Sequence, residues 1–219
     1  MRPRITPSFI TFTGADDAMY CKGMRELSDR YPIEWGILID QDRKGTRLFP
    51  SDRHVERFRT LGVRLCAHIC GSFAIDIAAG RNPYASLAGF SRIQVNHGRH
   101  GADQETIDRV SRFAASHGVR AVLQCGGGAF PIRSTKVDWL YDVSFGEGVR
   151  PTAFPTIMTD HPFCGISGGI EPENVAEILA TRLSVVGACQ FWIDMESGVR
   201  TDGGFDLVRC EAVCRAIYG

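Results

Sequence analysis

Apolar, strand-like runs alternate with helical segments from one end of this 219-residue chain to the other. That alternation restricts the fold more than any other feature of the sequence. Residues 9–14 read as a first strand, and a helix is expected over about 16–31 with Asp16 or Asp17 as its cap. Residues 33–40 form the second strand, and the polar loop 41–50 leads to a helix that Ser51 can cap. Residues 63–71 are the third strand, followed by a short helix to about Ala79. Residues 91–98 are the fourth, and 103–117 form an amphipathic helix with Ile107, Val110 and Ala114 on one side, ended by His117 and Gly118. Residues 119–126 and 140–145 supply the fifth and sixth strands, and Pro151, Pro155 and Pro162 keep any later helix short. Two strand-turn-helix units, 163–175 and 191–199, bring the strands to eight. A parallel connection needs a long crossover, and here each crossover reads as a helical or irregular segment. The expected fold is therefore α/β, a (β/α)8 TIM barrel with some helices short or irregular, filling residues 1–219 as one domain. An open doubly wound sheet is the runner-up, but the early GxGxxG turn of a dinucleotide fold is absent.

Composition narrows the partners. Lys plus Arg equals Asp plus Glu at 25 each, and no basic-aromatic stripe stands out, so nucleic acid is not an expected partner. No run approaches the ~18 apolar residues of a membrane span, and the charged N-terminus lacks an apolar export segment, so the expected location is the cytoplasm. The eight cysteines show no CxxC spacing. They read as buried thiols of a reducing compartment rather than a disulfide framework, and the i, i+4 pairs Cys66/Cys70 and Cys210/Cys214 as packing rather than metal ligation.

Strands covered by helices on one face of a parallel sheet are normally apolar throughout. Here one parity repeatedly carries polar groups near the strand ends: Thr11 and Thr13, Glu34 and Asp40, His68, Gln94 and Asn96, Gln124, Asp142 and Ser144, Ser167, Asp194 and Glu196. Facing the barrel axis, they would converge on one mouth. Burying them without partners would cost about 1–3 kcal/mol each, which a binding or catalytic site would explain. The last two units add an anion cradle. Gly168, Gly169 and Gly198 let main-chain N–H groups approach a negative charge, Ser197 lies beside them, and paired turns at the end of a βα series are where such barrels bind phosphate.

Several of these stretches resemble phosphoribosylanthranilate isomerase, the tryptophan-pathway (β/α)8 enzyme. Ser-Gly-Gly-Ile-Glu-Pro-Glu-Asn-Val at 167–175 is similar to that family's Ala-Gly-Gly-Leu-Asn-Pro-Glu-Asn-Val turn. Ile193-Asp-Met-Glu-Ser-Gly-Val199 is similar to its Val-Asp-Val-Ser-Ser-Gly-Val segment, and Ile93-Gln-Val-Asn-His-Gly98 to its Val-Gln-Leu-His-Gly strand. The resemblance implies that Asp142 stands at the place of the general-acid aspartate and Arg47 near the arginine that holds the anthranilate carboxylate. Gly146-Glu-Gly148 only echoes the family's glycine turn after the sixth strand. The main departure lies in Ile10-Thr-Phe-Thr-Gly14, where the family's general-base cysteine is replaced by Thr13 and its lysine by Thr11. A hydroxyl cannot replace a thiolate as a carbon base without a strong base beside it.

The expected function is an isomerase or lyase acting on a small phosphorylated substrate, sugar phosphate or carboxylate-bearing, and not the standard tryptophan-pathway reaction. Asp142, His68, Glu196 and Thr13 are its candidate catalytic residues. Gly168, Gly169, Ser197, Gly198, Arg47, Ser167 and Asp194 are its candidate substrate and phosphate contacts. No cofactor is expected, and a homodimer stays open. Two alternatives remain: a non-catalytic phosphate- or carboxylate-binding barrel, and a metal-dependent hydrolase or aldolase using His68 with Glu34, Asp194 and Glu196.

Overall fold

A computed structural model describes residues 5–83, 86–98, 102–131, 136–143 and 149–219. Eight parallel strands close into a barrel in chain order: β1 (Phe9–Thr13), β2 (Ile33–Ile39), β3 (Leu65–Ile69), β4 (Arg92–Val95), β5 (Arg120–Cys125), β6 (Asp138–Tyr141), β7 (Cys164–Ile166) and β8 (Phe191–Met195). β8 returns to β1 with Thr11 opposite Asp194, while Thr11 also faces Glu34 across β2. The barrel expectation thus holds. The sixth strand starts and stops earlier than its sequence suggests, and Ser144 and Gly146-Glu-Gly148 lie outside the described residues.

The helices are α1 (Cys21–Ser28), α2 (Asp52–Arg59), α3 (Gly71–Ala78), α4 (Gln104–Ser116), a single turn α5 (Val175–Glu177) that widens into a π turn at Ile178–Arg182, and α6 (Leu207–Tyr218). α4 begins where expected because Asp103 Oδ1 accepts the Thr106 N–H at 2.8 Å. α1 begins later than expected. Asp16 makes a local turn with the Ala18 N–H at 3.0 Å, and Asp17 accepts the Ser51 N–H at 2.8 Å, so neither carboxylate is left to cap it. Ser51 precedes α2, but its hydroxyl pairs with His54 Nδ1 at 3.1 Å rather than with a backbone N–H. A short hairpin absent from the sequence reading, β9 (Arg200–Thr201) and β10 (Gly204–Phe205), sits between β8 and α6. Among the described residues no helix is long and apolar enough to cross a membrane.

Side-chain parity divides the interior into two chemistries. The outward parity (Ile10, Phe12, Trp35, Ile37, Ala67, Ile69, Ile93, Leu123, Ile193) joins the helices in one large buried cluster. Each large side chain there contributes roughly 1.5–3 kcal/mol of burial free energy, so this belt supplies most of the cohesion. Inside the barrel Phe9, Val122, Leu140 and Trp192 form a small apolar cluster. It forms because Gly165 has no Cβ, and the Trp192 ring lies where one would be.

Beside that cluster sits a charged floor. Glu34 is fully buried, with Oε1 2.6 Å from Arg92 Nη2 and Oε2 2.8 Å from Arg64 Nε. Asp138 accepts from Arg120 Nε and Nη2 at 2.9 and 2.8 Å. The Arg92 guanidinium lies over Trp192 at 4.3 Å and Phe9 at 4.9 Å. Burial alone would raise the Glu34 pKa, but the charges and hydrogen bonds of Arg92 and Arg64 outweigh it and hold the carboxyl below its ordinary range. Glu34 lies near the start of its strand and does not line the mouth, contrary to its place in the sequence expectation. Parity fixes which wall a residue faces, but its depth depends on how the strands are staggered.

Candidate functional site

The C-terminal strand ends surround a cavity of about 300 Å3. Thr13 reaches it from the end of β1, His68 from β3, Gln94 from β4, Gln124 from β5 and Asp194 from β8. Asp142, Ser167, Glu196 and Ser197 lie just beyond β6, β7 and β8. The expected convergence of polar strand ends is thus present in this one space for these residues, but not for Thr11, whose hydroxyl bonds Glu34 at 3.1 Å, nor for Asp40, which is held by Arg43 at 2.8 Å. Many of these groups are satisfied locally. Gln124 Nε2 donates to Asp142 Oδ2 at 3.1 Å, Gln94 Nε2 to Asn96 Oδ1 at 3.0 Å, and the Ser167 hydroxyl to the Tyr141 carbonyl at 3.2 Å.

Thr13, His68 and Asp194 form a buried polar trio in the cavity wall. The Thr13 hydroxyl donates to Asp194 Oδ1 at 2.8 Å, and His68 Nε2 lies 3.8 Å from Asp194 Oδ2. Gly36 makes this possible, because a Cβ on β2 at that point would overlap the Thr13 hydroxyl and crowd His68 Nε2 to 2.9 Å. Burial raises the Asp194 pKa to about 8, against the Thr13 hydrogen bond and with help from Glu34, Asp142 and Glu196. Burial also lowers the His68 pKa to about 4. Both shifts favour uncharged forms, so near neutral pH the pair holds one proton, resting on the carboxyl. His68 Nε2 is buried with no hydrogen-bond partner among the described residues, and leaving such a group unpaired costs about 1–3 kcal/mol.

Glu196 is also shifted upward, by burial first and then Asp142, but Arg200 and Arg43 oppose the shift. Neither arginine is conspicuous in the sequence. Arg43 Nε donates to Asp40 at 2.8 Å while its guanidinium stacks 3.9 Å above Phe49. Arg200 Nη2 bonds the Gly14 carbonyl at 2.6 Å. The one available signal for Arg200 was its position directly after the Ser-Gly-Val turn.

The glycine turns sit at the cavity's edge. Gly168 and Gly169 have positive φ, 103° and 59°, and line the cavity with Ser197. A Cβ on Gly168 would come within 2.8 Å of the Val149 carbonyl oxygen, and one on Gly169 within 2.7 Å of Arg150 Cβ. A Cβ on Gly198 would overlap the Ile170 carbonyl oxygen. These glycines therefore allow close packing whatever else they do. Gly198 lines no part of the main cavity. It lines an adjoining groove together with Arg150, Gly169, Ile170, Glu171 and Ser197. Arg150, which sequence reasoning passed over, places a cation there with Glu171 3.4 Å away.

Arg47 departs from its expected place. Its Nε donates to the Gly203 carbonyl at 2.9 Å and its Nη2 to the Asp202 carbonyl at 3.3 Å, so it braces the β9–β10 turn and does not line the cavity. Gly203 at φ 73° leaves the guanidinium its space. The metal alternative loses Glu34 to Arg92 and Arg64. Among the described residues no three His, Cys, Asp or Glu side chains are grouped as a cation site requires. None of the cysteines is disulfide-bonded, and all but the half-buried Cys189 are buried.

No protein-family model matches the chain, and no curated protein matches it in sequence. Three solved structures are similar in fold. A phosphoribosyl anthranilate isomerase from Thermococcus kodakaraensis gives a TM-score of 0.57 at 17% identity, covering 97% of this chain and 99% of that one. An N-(5'-phosphoribosyl)anthranilate isomerase from Pyrococcus furiosus gives 0.55 at 16%, covering 95% and 98%. A form of the dimeric enzyme from Thermotoga maritima gives 0.50 at 14%, covering 97% and 98%. Over nearly its whole length, then, the chain has the (β/α)8 fold of the phosphoribosylanthranilate isomerases.

Proposed function

We propose that the protein is an enzyme that moves protons on a small phosphorylated substrate, an isomerase or lyase distinct from the tryptophan-pathway reaction. The observation that carries this reading is the convergence of Thr13, His68, Asp142, Asp194 and Glu196 on one cavity edged by the turn at Gly168 and Gly169. Gly168, Gly169, Ser197 and Gly198 would hold the phosphate, with Arg150 at the rim supplying charge. Asp142, just past the end of β6, would protonate a ring or carbonyl oxygen, and His68 or Glu196 would remove a proton from the neighbouring carbon. Such a shift is balanced within the substrate: the proton lost from one carbon is regained at the next, and no oxidant or reductant is consumed. Arg47 has no part in this scheme, because its donors are engaged by Gly203 and Asp202.

Thermal unfolding with and without ribose 5-phosphate and inorganic phosphate tests the substrate class, followed by NMR detection of deuterium entering the sugar from heavy water. Stabilisation with deuterium uptake is the expected result. Stabilisation without uptake would favour a binding protein, consistent with Thr13 replacing a thiol. No stabilisation by either anion would remove the phosphate reading.

A further inference from the structure

We propose that His68 and Asp194 act together as the base and acid of the cavity, working on adjacent atoms of an α-hydroxy carbonyl substrate, with Thr13 as the positioning residue. This rests on the reading of the cavity as a substrate site; within it His68 is the base in place of Glu196, and Asp194 in place of Asp142 is the acid at the carbonyl oxygen.

The geometry is specific. His68 is 2% and Asp194 5% exposed, and both line the cavity. Asp194 Oδ1 is committed to the Thr13 hydroxyl, which leaves Oδ2 as the oxygen on the His68 side. His68 Nε2 has no hydrogen-bond partner among the described residues, and the 3.8 Å gap to Oδ2 is too wide for a hydrogen bond between them. It does fit a substrate fragment H–C–C=O laid across it, with the C–H toward Nε2 and the carbonyl oxygen toward Oδ2. The strongest charges acting on Asp194 are those of Glu34, Asp142 and Glu196, all acidic, so each favours a proton on Asp194. Burial and Asp142 raise Glu196 as well, against Arg200 and Arg43, and it is His68 Nε2 that lies 3.8 Å from Asp194 Oδ2.

The step then balances without a further reactant. The unprotonated Nε2 of His68 takes the proton from carbon. The C–H electron pair becomes the new C=C bond, and the C=O π pair moves to oxygen, which receives the proton from Asp194 Oδ2. The result is an enediol between an imidazolium and a carboxylate, two opposite charges formed close together in a buried site where their attraction is strong. Reversal at the neighbouring carbon returns both protons and leaves the isomerised product. Thr13 keeps Oδ1 occupied throughout and so fixes which carboxyl oxygen carries the acid.

Infrared difference spectroscopy across pH 8 tests the proposal, since a protonated carboxyl has a carbonyl stretch that a carboxylate lacks. The wild-type difference spectrum across pH 8 should contain that band, and the Asp194→Asn difference spectrum across the same pH should lack it. Nitrogen-15 NMR should read a neutral His68 imidazole at neutral pH. Ribitol 5-phosphate, a polyol that cannot react, should shift both the band and the His68 Nε2 resonance, whereas inorganic phosphate should shift neither. A wild type without the band, a band surviving in Asp194→Asn, or a His68 imidazolium at neutral pH would overturn the proposal. Should Asp194→Asn not fold, Thr13→Val decides: it removes a hydrogen bond that lowers the Asp194 pKa, so the band's midpoint must move upward. An unmoved midpoint ends the positioning role. Binding of ribitol 5-phosphate that leaves band and resonance unmoved sinks the pair. Failure to bind it while the band titrates as expected sinks only the sugar-phosphate reading.

Discussion

The buried pair at the barrel mouth should leave a mark on stability as well as on chemistry. Asp194 ordinarily titrates at 3.8 and is raised to about 8, so its contribution is full below 3.8 and lost as the pH rises through about 8. His68 ordinarily titrates at 6.5 and is lowered to about 4, so its contribution is present above 6.5 and lost as the pH falls through about 4. Between about pH 4 and 6.5 the two slopes cancel, because folded pair and unfolded chain each hold one proton. That cancellation is the same whichever partner carries the folded proton. From 6.5 to about 8 only the folded state keeps its proton, and stability must fall. At about 1.4 kcal/mol per pH unit the loss across that window is about 2 kcal/mol. For a chain of this size it corresponds to roughly 4–8 °C in Tm. Asp194→Asn removes the term: its stability should rise from pH 4 to 6.5 and then level, so it gains on the wild type throughout. Urea unfolding of both proteins at closely spaced pH values measures the difference, in which all other titrating groups cancel. Parallel curves above pH 6.5 would refute the shared proton.

Glu34→Gln should cost about 3–5 kcal/mol, because it leaves the buried Arg92 without its main counter-charge. Glu34→Leu combined with Arg92→Met should recover most of that loss in urea unfolding, and a single-variant loss below about 1 kcal/mol would contradict the charged floor. Gly169→Ala should cost about 1–2 kcal/mol, since φ is 59° and its Cβ would meet Arg150 Cβ at 2.7 Å. It should also abolish stabilisation by inorganic phosphate; an unchanged phosphate response would remove the cradle. Expression in a bacterium lacking phosphoribosylanthranilate isomerase should not restore growth without tryptophan. Thr13 offers a hydroxyl where the reaction needs a thiolate, and Arg47 is turned to Gly203, so rescue would show that neither matters.

The barrel was legible because its signals are local. Eight apolar runs, each bounded by turn residues, state the strand count, and the period of two states which side chains face inward. The same period brought Thr13, His68, Asp142 and Asp194 together correctly, although they are spread over much of the chain. Depth was not legible. Glu34 and Asp194 share a parity, yet one belongs to the floor and the other to the mouth, because strand stagger is a property of the closed sheet. Long side chains were the other failure. Arg47 reaches from the β2–α2 loop to the β9–β10 turn, Arg43 and Arg150 approach the mouth from loops, and Arg200 does so from the short strand β9, paths that no periodicity describes. The part Asp194 can play was hidden for a third reason. Its proton affinity comes from burial and from the charges of Glu34 and Asp142, against the Thr13 hydrogen bond, and these three residues lie on three other strands or their ends.

The division between an oily outer belt and a polar bore has a bearing on how freely such a chain can drift. Residues between strands and helices need only supply apolar bulk, a demand many sequences meet, whereas those along the axis answer to chemistry. Shape and reactivity are therefore written in alternate letters of the same strands. Thr13 on the first strand and His68 two strands away meet with the cylinder intact, because Gly36 between them leaves both the space.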